Sequence, residues 1–309
     1  MTRRAAGALA ALLIAAVVLA GCGGGGDGAV TVGSPRAAAG PEIRIGAKNF
    51  TEQEILGQLY SRALRAQGFD VVLKSDVGSS EIIHRALQNG ALDMYPEYIG
   101  VLLSEVANDR RRPRRAMAAY EAAKTFEHHN GFSLLAQTPF ADSNALGVTP
   151  AFAKRHGVHA IGDLKKLAGT VRIGALAEFA TRFEGLDGLR SVYGLRNLTV
   201  MPVESGGRYR ALDSGAVHVA SMFTSEGQLA GHRYVLLADP RGLFASGHVA
   251  PIVSEKVLTA YGPRLSSAID AVTRVLTTPA MRRMNAEVDL QGRTAASVAA
   301  AFLRAQQLG

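Results

Sequence analysis

The chain has 309 residues, 48% of them hydrophobic and 19% charged, with a formal net charge of +8, a pI near 9.8, no tryptophan and one cysteine. That balance excludes a disordered chain, the length points to about two domains rather than one core, and a lone cysteine excludes an internal disulfide. The basic pI would suit nucleic acid in an intracellular protein, but the first residues argue for another setting and for no nucleic-acid partner.

MTRRAAGALAALLIAAVVLAGC opens with Arg3 and Arg4, runs apolar from Ala8 to Ala20 and closes on small residues, the pattern of a secretory signal. The run is shorter than the roughly 20 apolar residues a bilayer crossing needs. Its ending, LAGC, resembles a bacterial lipobox, in which Cys22 becomes the lipid-modified first residue of the mature protein. Residues 1–21 are therefore read as a signal peptide and 22–40 as a lipidated, glycine-rich flexible tether, which places the protein outside the cytoplasm and anchors it to the membrane at Cys22. Loss of residues 1–21 removes two arginines and no acid and leaves a net charge of +6. Much of that excess is DRRRPRR, Asp109 to Arg115, which reads as an exposed solvated segment or a contact for anionic headgroups.

From Pro41 onward short β-like runs alternate with helical patterns, as in sheets flanked by helices. EIRIGA is strand-like. NFTEQEILGQLYSRALRAQG is helical, with Ile55, Leu56, Leu59, Tyr60, Ala63 and Leu64 on one face and Thr51 and Glu54 at capping-box spacing. FDVVLKSDVG predicts the next strand, SSEIIHRALQNG a helix with Gly90 at its C-cap, and ALDMYPEY a third strand ending at Tyr98. Within it Tyr95 reads as packing, and Glu97 suits either the balance of a cation or a pair with a nearby arginine.

The same grammar recurs in the middle of the chain. TVRIGA at 170–175 answers EIRIGA at 42–47, and RALDSGAVHVASMF at 210–223 answers RALQNGALDMYPEY at 85–98, at offsets of 128 and 125 residues. Two similar α/β lobes follow. Tyr98 and Phe223 are counterparts in them, each at a strand's carboxyl end, where open α/β sheets bind ligands.

AKNFTEQEILGQLY, GSSEIIHRALQNGALDMYPEYIG, DSNALGV, TRFEGLDGLRSVYGL and FTSEGQLA, in this order, resemble the substrate-binding proteins of osmoprotectant ABC importers, the glycine betaine, choline and proline betaine group. The resemblance runs from about Glu42 to the C-terminus. It implies a type II periplasmic binding protein of the α/β class, each of two lobes a mixed sheet flanked by helices, hinged by two crossover strands near DSNALGV and HVAPIV. Lobe 1 is then expected at 41–140 plus 250–309 and lobe 2 at 141–249. It further implies a monomeric solute receptor rather than an enzyme, needing no cofactor and delivering its ligand to a permease and its ATPase.

In that family a quaternary ammonium sits among aromatic rings. A methylated ammonium donates no hydrogen bond, so ring faces attract it at about 0.5–2 kcal/mol each. Carried over residue by residue, the ring of the YPEY motif falls on Tyr98 and that of the FSTDG-like motif on Phe223, with Thr224 next to it. The lysine of the SKNF-like motif falls on Lys48, beside Asn49 and ahead of a helix N-terminus that favours anions. The arginine of the TRPDGL-like motif falls on Arg182, beside Thr181, so that Lys48 and Arg182 reach a ligand carboxylate from different lobes. Ile99 and Val101 replace two threonines of the family, and Asn144 and Gly247 or His248 stand where tighter betaine binders carry tyrosines. Asp142 and Asn144 offer hydrogen bonds there, and His248 a ring or a donor. Choline, carnitine, ergothioneine or an amino acid are alternative ligands to glycine betaine, and an extracellular sensor subunit without transport is the alternative role.

Other chemistries lack their patterns. Neither the eight histidines nor the cysteine are spaced as metal ligands, and no G-x-S-x-G elbow is present. The GGGG at 23–26 follows no strand, which removes a phosphate-binding loop.

Overall fold

The computed structural model describes residues 40–309 apart from 110–112, 114, 204–206 and 232. The signal segment, Cys22, the tether to residue 39 and four of the five arginines between 110 and 115 lie outside the described residues. Among the described residues the strands are β1 Ile43–Gly46, β2 Val71–Lys74, β3 Met94–Tyr98, β4 Phe132–Leu134, β5 Asn144–Val148, β6 Val171–Ala175, β7 Leu198–Pro202, β8 Val219–Phe223, β9 Val235–Leu236 and β10 Val249–Ser254. They form two five-stranded sheets, ordered β2-β1-β3-β10-β4 and β7-β6-β8-β5-β9.

The two sheets repeat one plan. In each, three parallel strands are followed by an antiparallel neighbour, β10 in the first sheet and β5 in the second. Both neighbours enter from the other sheet, so the chain crosses twice, through residues 141–143 and 247–248, where Ala141 bridges His248. This is the pair of α/β lobes that the doubled motif implies, with the two crossovers that the family resemblance implies.

A proline inside a central strand ordinarily argues against that strand, because it lacks the N–H donor of a ladder. Here β3 carries Pro96 and its partner β10 carries Pro251 directly opposite. Neither proline leaves its carbonyl orphaned: Leu135 N donates to Pro251 O at 2.9 Å, and the buried Gln53 side chain donates to Pro96 O at 3.1 Å. Since β1 meets β3 only at Ile45 opposite Met94, no strand requires a donor from Pro96.

The helix Thr51–Ala66 buries Ile55, Leu56, Leu59, Tyr60, Ala63 and Leu64 completely, as its periodicity predicts. They pack against Leu265, Ile269 and Val272, Met281 and Met284, and Val298 and Leu303 of the C-terminal helices, which fastens that segment to the first sheet. Its start differs from the capping-box expectation. Phe50 occupies the N-cap without a side-chain bond, and Thr51 donates its hydroxyl to Asp289 at 2.6 Å instead, because the C-terminal helix Thr278–Asp289 lies beside it. Gly90 takes φ +69° just beyond the helix Ser80–Gln88, as a glycine there should. A second apolar core, built on Leu146, Ile173, Leu189 and Val219, supports the other sheet.

Beneath the first sheet lies a polar pocket within the core. His84 Nδ1 and the Tyr95 hydroxyl are 3.1 Å apart, and Glu127 Oε1 lies 3.8 Å from His84. All three side chains are buried, and neither Glu127 oxygen has a hydrogen-bond partner among the described residues. Burial, with Glu97 adding repulsion, pushes the Glu127 carboxyl up to about 8. Burial lowers His84, so both groups favour their neutral forms.

Two predictions follow from these contacts. A Cβ at Gly247 would lie 1.9 Å from Asp142 O, so the two crossings touch backbone to backbone and admit only glycine. Gly247→Ala should cost about 1–3 kcal/mol of overpacking and lower Tm by roughly 5 °C in calorimetry. For Glu127, the folded carboxyl near 8 stands above its unfolded value of about 4.3. Its stabilising contribution is complete below the unfolded value and is lost as pH rises to 8. Glu127→Gln should flatten this decline, which reaches at most about 1.4 kcal/mol per pH unit; parallel Tm curves between pH 5 and 8 for the two proteins would refute the assignment.

Candidate functional site

The carboxyl ends of β1 and β3 gather Lys48, Phe50, Glu97 and Tyr98. Lys48, two residues past β1, is buried, and its ammonium bonds Glu97 Oε1 at 2.6 Å and Ser80 Oγ at 3.0 Å. Glu97 Oε1 also accepts the Tyr98 backbone N–H at 2.7 Å. The alternative of an arginine partner for Glu97 is therefore replaced by Lys48, which the β1 loop brings within reach. The same ammonium lies 4.5 Å from the centroid of the Tyr98 ring and 5.7 Å from that of Phe50. The two rings stack at 6.1 Å, and Phe50 is 42% exposed. Lys48 is thus a resident cation against the aromatic pair. Asn49, next to it, is exposed.

Tyr98 is buried and donates its hydroxyl to Glu52 Oε1 at 2.8 Å. Burial holds that hydroxyl well above the ordinary tyrosine value, with Glu52 and Asp142 adding repulsion, so it stays a donor. Glu52 accepts two further hydrogen bonds, from Ser225 Oγ at 2.5 Å and Asn285 Nδ2 at 2.8 Å. Desolvation raises its carboxyl, against the lowering effect of those donors.

The second lobe supplies a different set after β6 and β8. Asn144, opening β5, pairs with Phe223 at the end of β8 and donates to Glu184 Oε2 at 2.7 Å. Glu184 Oε1 accepts Ala245 N at 3.0 Å. The guanidinium of the buried Arg208 lies 5.6 Å from the Phe223 ring and bonds Ser221 O at 2.8 Å and Glu226 Oε1 at 2.5 Å. Arg182 and Thr181 are exposed on the segment after β6. Across the gap, the charge of Arg182 helps to lower Glu81 of the first lobe, behind the larger effects of the Ser79 and backbone hydrogen bonds.

One cavity of about 60 Å³ joins Val101, Ser104 and Glu105 of the first lobe to Asn144, Phe179, Arg182, Phe223 and neighbours of the second. A wider hollow of about 290 Å³ adjoins it through Ser104, Glu105, Arg182 and Glu184, and reaches Thr181 and residues 242–246. Four of the ten residues read from sequence, Asn144, Thr181, Arg182 and Phe223, line this trench. Lys48, Asn49, Tyr98, Asp142, Thr224 and His248 line neither hollow.

Three of those six are engaged in the crossing itself. Asp142 Oδ1 accepts Ser225 N at 2.9 Å, and burial, then repulsion by Glu52, raises its carboxyl well above the usual range. Thr224 Oγ1 donates to Ala141 O at 3.1 Å and accepts Ser143 N at 3.0 Å. His248 Nδ1 is 2.9 Å from Thr138 O and 3.0 Å from Phe140 O. The tyrosine of the tighter betaine binders has no counterpart at Gly247, since not even a methyl group fits there. Sequence reasoning passed over Phe50, Glu52, Glu105, Glu184, Ser225 and Asn285. Phe50, Glu52, Glu184 and Ser225 stood inside quoted motifs, but a polar residue there carries no local sign of a distant partner, as Ser225 and Asn285 are to Glu52.

The chain is similar to known proteins over most of its length. The model of the family described as the substrate binding domain of ABC-type glycine betaine transport system matches residues 41–305. A glycine-betaine-binding protein of Pseudomonas aeruginosa is 30% identical over 278 residues, covering 86% of this chain and 88% of the relative. The glycine betaine-binding protein YehZ of Escherichia coli is 27% identical over 286 residues, covering 88% and 93%. Among solved structures, that of a glycine betaine/carnitine/choline ABC transporter protein superposes with a TM-score of 0.76 at 25% identity, over 86% of this chain and 99% of that one.

Proposed function

We propose, from the premise that the chain belongs to the family of substrate-binding domains of ABC-type glycine betaine transport systems, that it captures a small quaternary-ammonium or zwitterionic solute in the trench between its lobes. Proteins of this family are substrate-binding proteins, not enzymes. The captured solute passes to a membrane permease driven by its ATPase, and the receptor works as a monomer outside the cytoplasm, tethered by a lipid on Cys22. The lobes are 41–140 with 250–309, and 141–249; in support, β1 to β4 and β10 share one sheet and β5 to β9 the other.

The observation that carries this reading is the lining of the narrower cavity. Both lobes contribute to it, and it sets an aromatic ring, Phe223, near an arginine, Arg182, and two carboxylates, Glu105 and Glu184. A zwitterion has matching ends. Its carboxylate is assigned to Arg182 and Thr181, with the guanidinium supplying paired donors, and its ammonium to the part of the Phe223 ring that the Arg208 guanidinium, 5.6 Å from its centroid, leaves open, with Glu105 lining the same cavity. Asn144 spends one amide hydrogen on Glu184, which leaves its carbonyl and its second amide hydrogen for a ligand. Lys48 and Tyr98 line neither hollow; with Phe50 they form an inner aromatic wall of the first lobe, where the Glu97 pair holds the lysine and a cation approaching Tyr98 competes with an ammonium already 4.5 Å from the ring. Contacts to both lobes stabilise closure around the solute.

Titration calorimetry with glycine betaine, choline, carnitine, ergothioneine and amino acids tests the reading. Arg182→Ala should weaken glycine betaine at least tenfold, about 1.4 kcal/mol, and choline, which lacks a carboxylate, less than threefold. Phe223→Ala should weaken both about tenfold. No heat with any quaternary-ammonium compound would reject the ligand class, and equal losses for betaine and choline in Arg182→Ala would reject the carboxylate contact.

A further inference from the structure

The two crossings at 141–143 and 247–248 are covalent, but a third connection between the lobes is not. The segment 224–227, just past β8 of the second lobe, sits against helices of the first. Arg282 Nε donates to Thr224 O at 2.8 Å, and Asn285 Nδ2 donates to Ser225 O at 2.9 Å. Gly227 lies so close that a Cβ there would meet the Ala286 backbone at 2.5 Å. At the centre is Glu52, whose carboxylate accepts from Tyr98 and Asn285 of the first lobe and from Ser225 of the second. Among the described residues no basic side chain pairs with it; the three donors are neutral, so what Glu52 provides is geometry rather than charge balance.

We infer that Glu52 is a positioning residue for solute capture: by holding the Tyr98 hydroxyl and the Ser225 hydroxyl on one carboxylate, it fixes the spacing between the inner aromatic wall of the first lobe and the Phe223 ring of the second. Ser225 is two residues past Phe223, and Phe223 O accepts Glu226 N at 3.1 Å, so that turn moves with its anchor. Tyr98 then acts through its hydroxyl, and its ring need not touch the ligand. A ligand that meets both lobes gains less when their spacing is loose, because binding must also fix it. This inference rests on solute capture between the lobes, but not on which solute is captured.

The test uses the full chain with Tyr98→Phe, Ser225→Ala, their combination, Glu52→Ala and Glu52→Gln. Tyr98→Phe and Ser225→Ala each delete one hydrogen bond and should weaken glycine betaine and choline by the same factor, about fivefold. The double variant should bind no worse than either single one, since both act through the same carboxylate. Glu52→Gln, whose amide can still join the three partners, should stay within about twofold, whereas Glu52→Ala should match the double variant and enlarge the radius of gyration in small-angle scattering without added ligand. Unchanged affinity in Tyr98→Phe, additive losses, or losses that differ between betaine and choline would overturn the positioning role. If Glu52→Ala does not fold, the cycle between Tyr98→Phe and Ser225→Ala decides alone. If the unmodified protein binds neither compound, the ligand class fails, and scattering from Ser225→Ala without ligand still decides whether the anchor holds the lobes: an unchanged radius would refute it.

Discussion

The contact on which the structure depends is the close passage of the two crossing segments. Asp142 N donates to Gly247 O at 2.9 Å, and Gly247 N donates to Ser143 Oγ at 3.0 Å, with no room for a Cβ between the backbones. Such a contact transmits direction from one sheet to the other. From it β5 leaves antiparallel to β8 and β10 leaves antiparallel to β3, which brings Asn144 opposite Phe223 and Val249 opposite Tyr98. The trench is therefore a consequence of how two backbones cross, and its lining follows from which strand ends they bring face to face.

The two halves of the site solve different electrostatic problems. In the first lobe a lysine and a glutamate are buried together, an arrangement that is costly to break because the partner left behind would be a bare charge in a medium of low dielectric. Lys48 spends its charge on Glu97 and its remaining field on the faces of Tyr98 and Phe50. In the second lobe Arg182 stands exposed, while Arg208 is buried and satisfied by Glu226 and a carbonyl. Both line the narrower cavity, Arg208 held by its partners and Arg182 exposed. An anion approaching from outside meets Arg182 at little desolvation cost, whereas Lys48 would first have to leave its pair.

Local contacts account for the residues at Asn144 and Gly247. Asn144 is held by Glu184, which in turn receives Ala245 N, so the polar side chain belongs to a bridge between β5 and the segment leading back to the hinge. Gly247 is fixed by sterics. At these two places the chain therefore presents a polar bridge and a bare backbone rather than rings.

Much of this was legible in the chain. The doubled EIRIGA and RALQNG patterns determined that there are two α/β units, because alternation and turn residues report locally on strands and helices. They also put Tyr98 and Phe223 at equivalent strand ends, and the helical period of residues 55–64 determined the buried face. Tertiary structure alone decided what each end meets. Thr51 had the spacing of a cap yet bonds Asp289, Glu97 pairs with Lys48 rather than an arginine, and Glu52 joins Tyr98 to Ser225. The physical reason is separation along the chain. Hydrophobic period and turn chemistry act over a few residues and leave their mark there, whereas the partner of a buried polar group is chosen by whichever distant segment the completed fold brings within three ångströms.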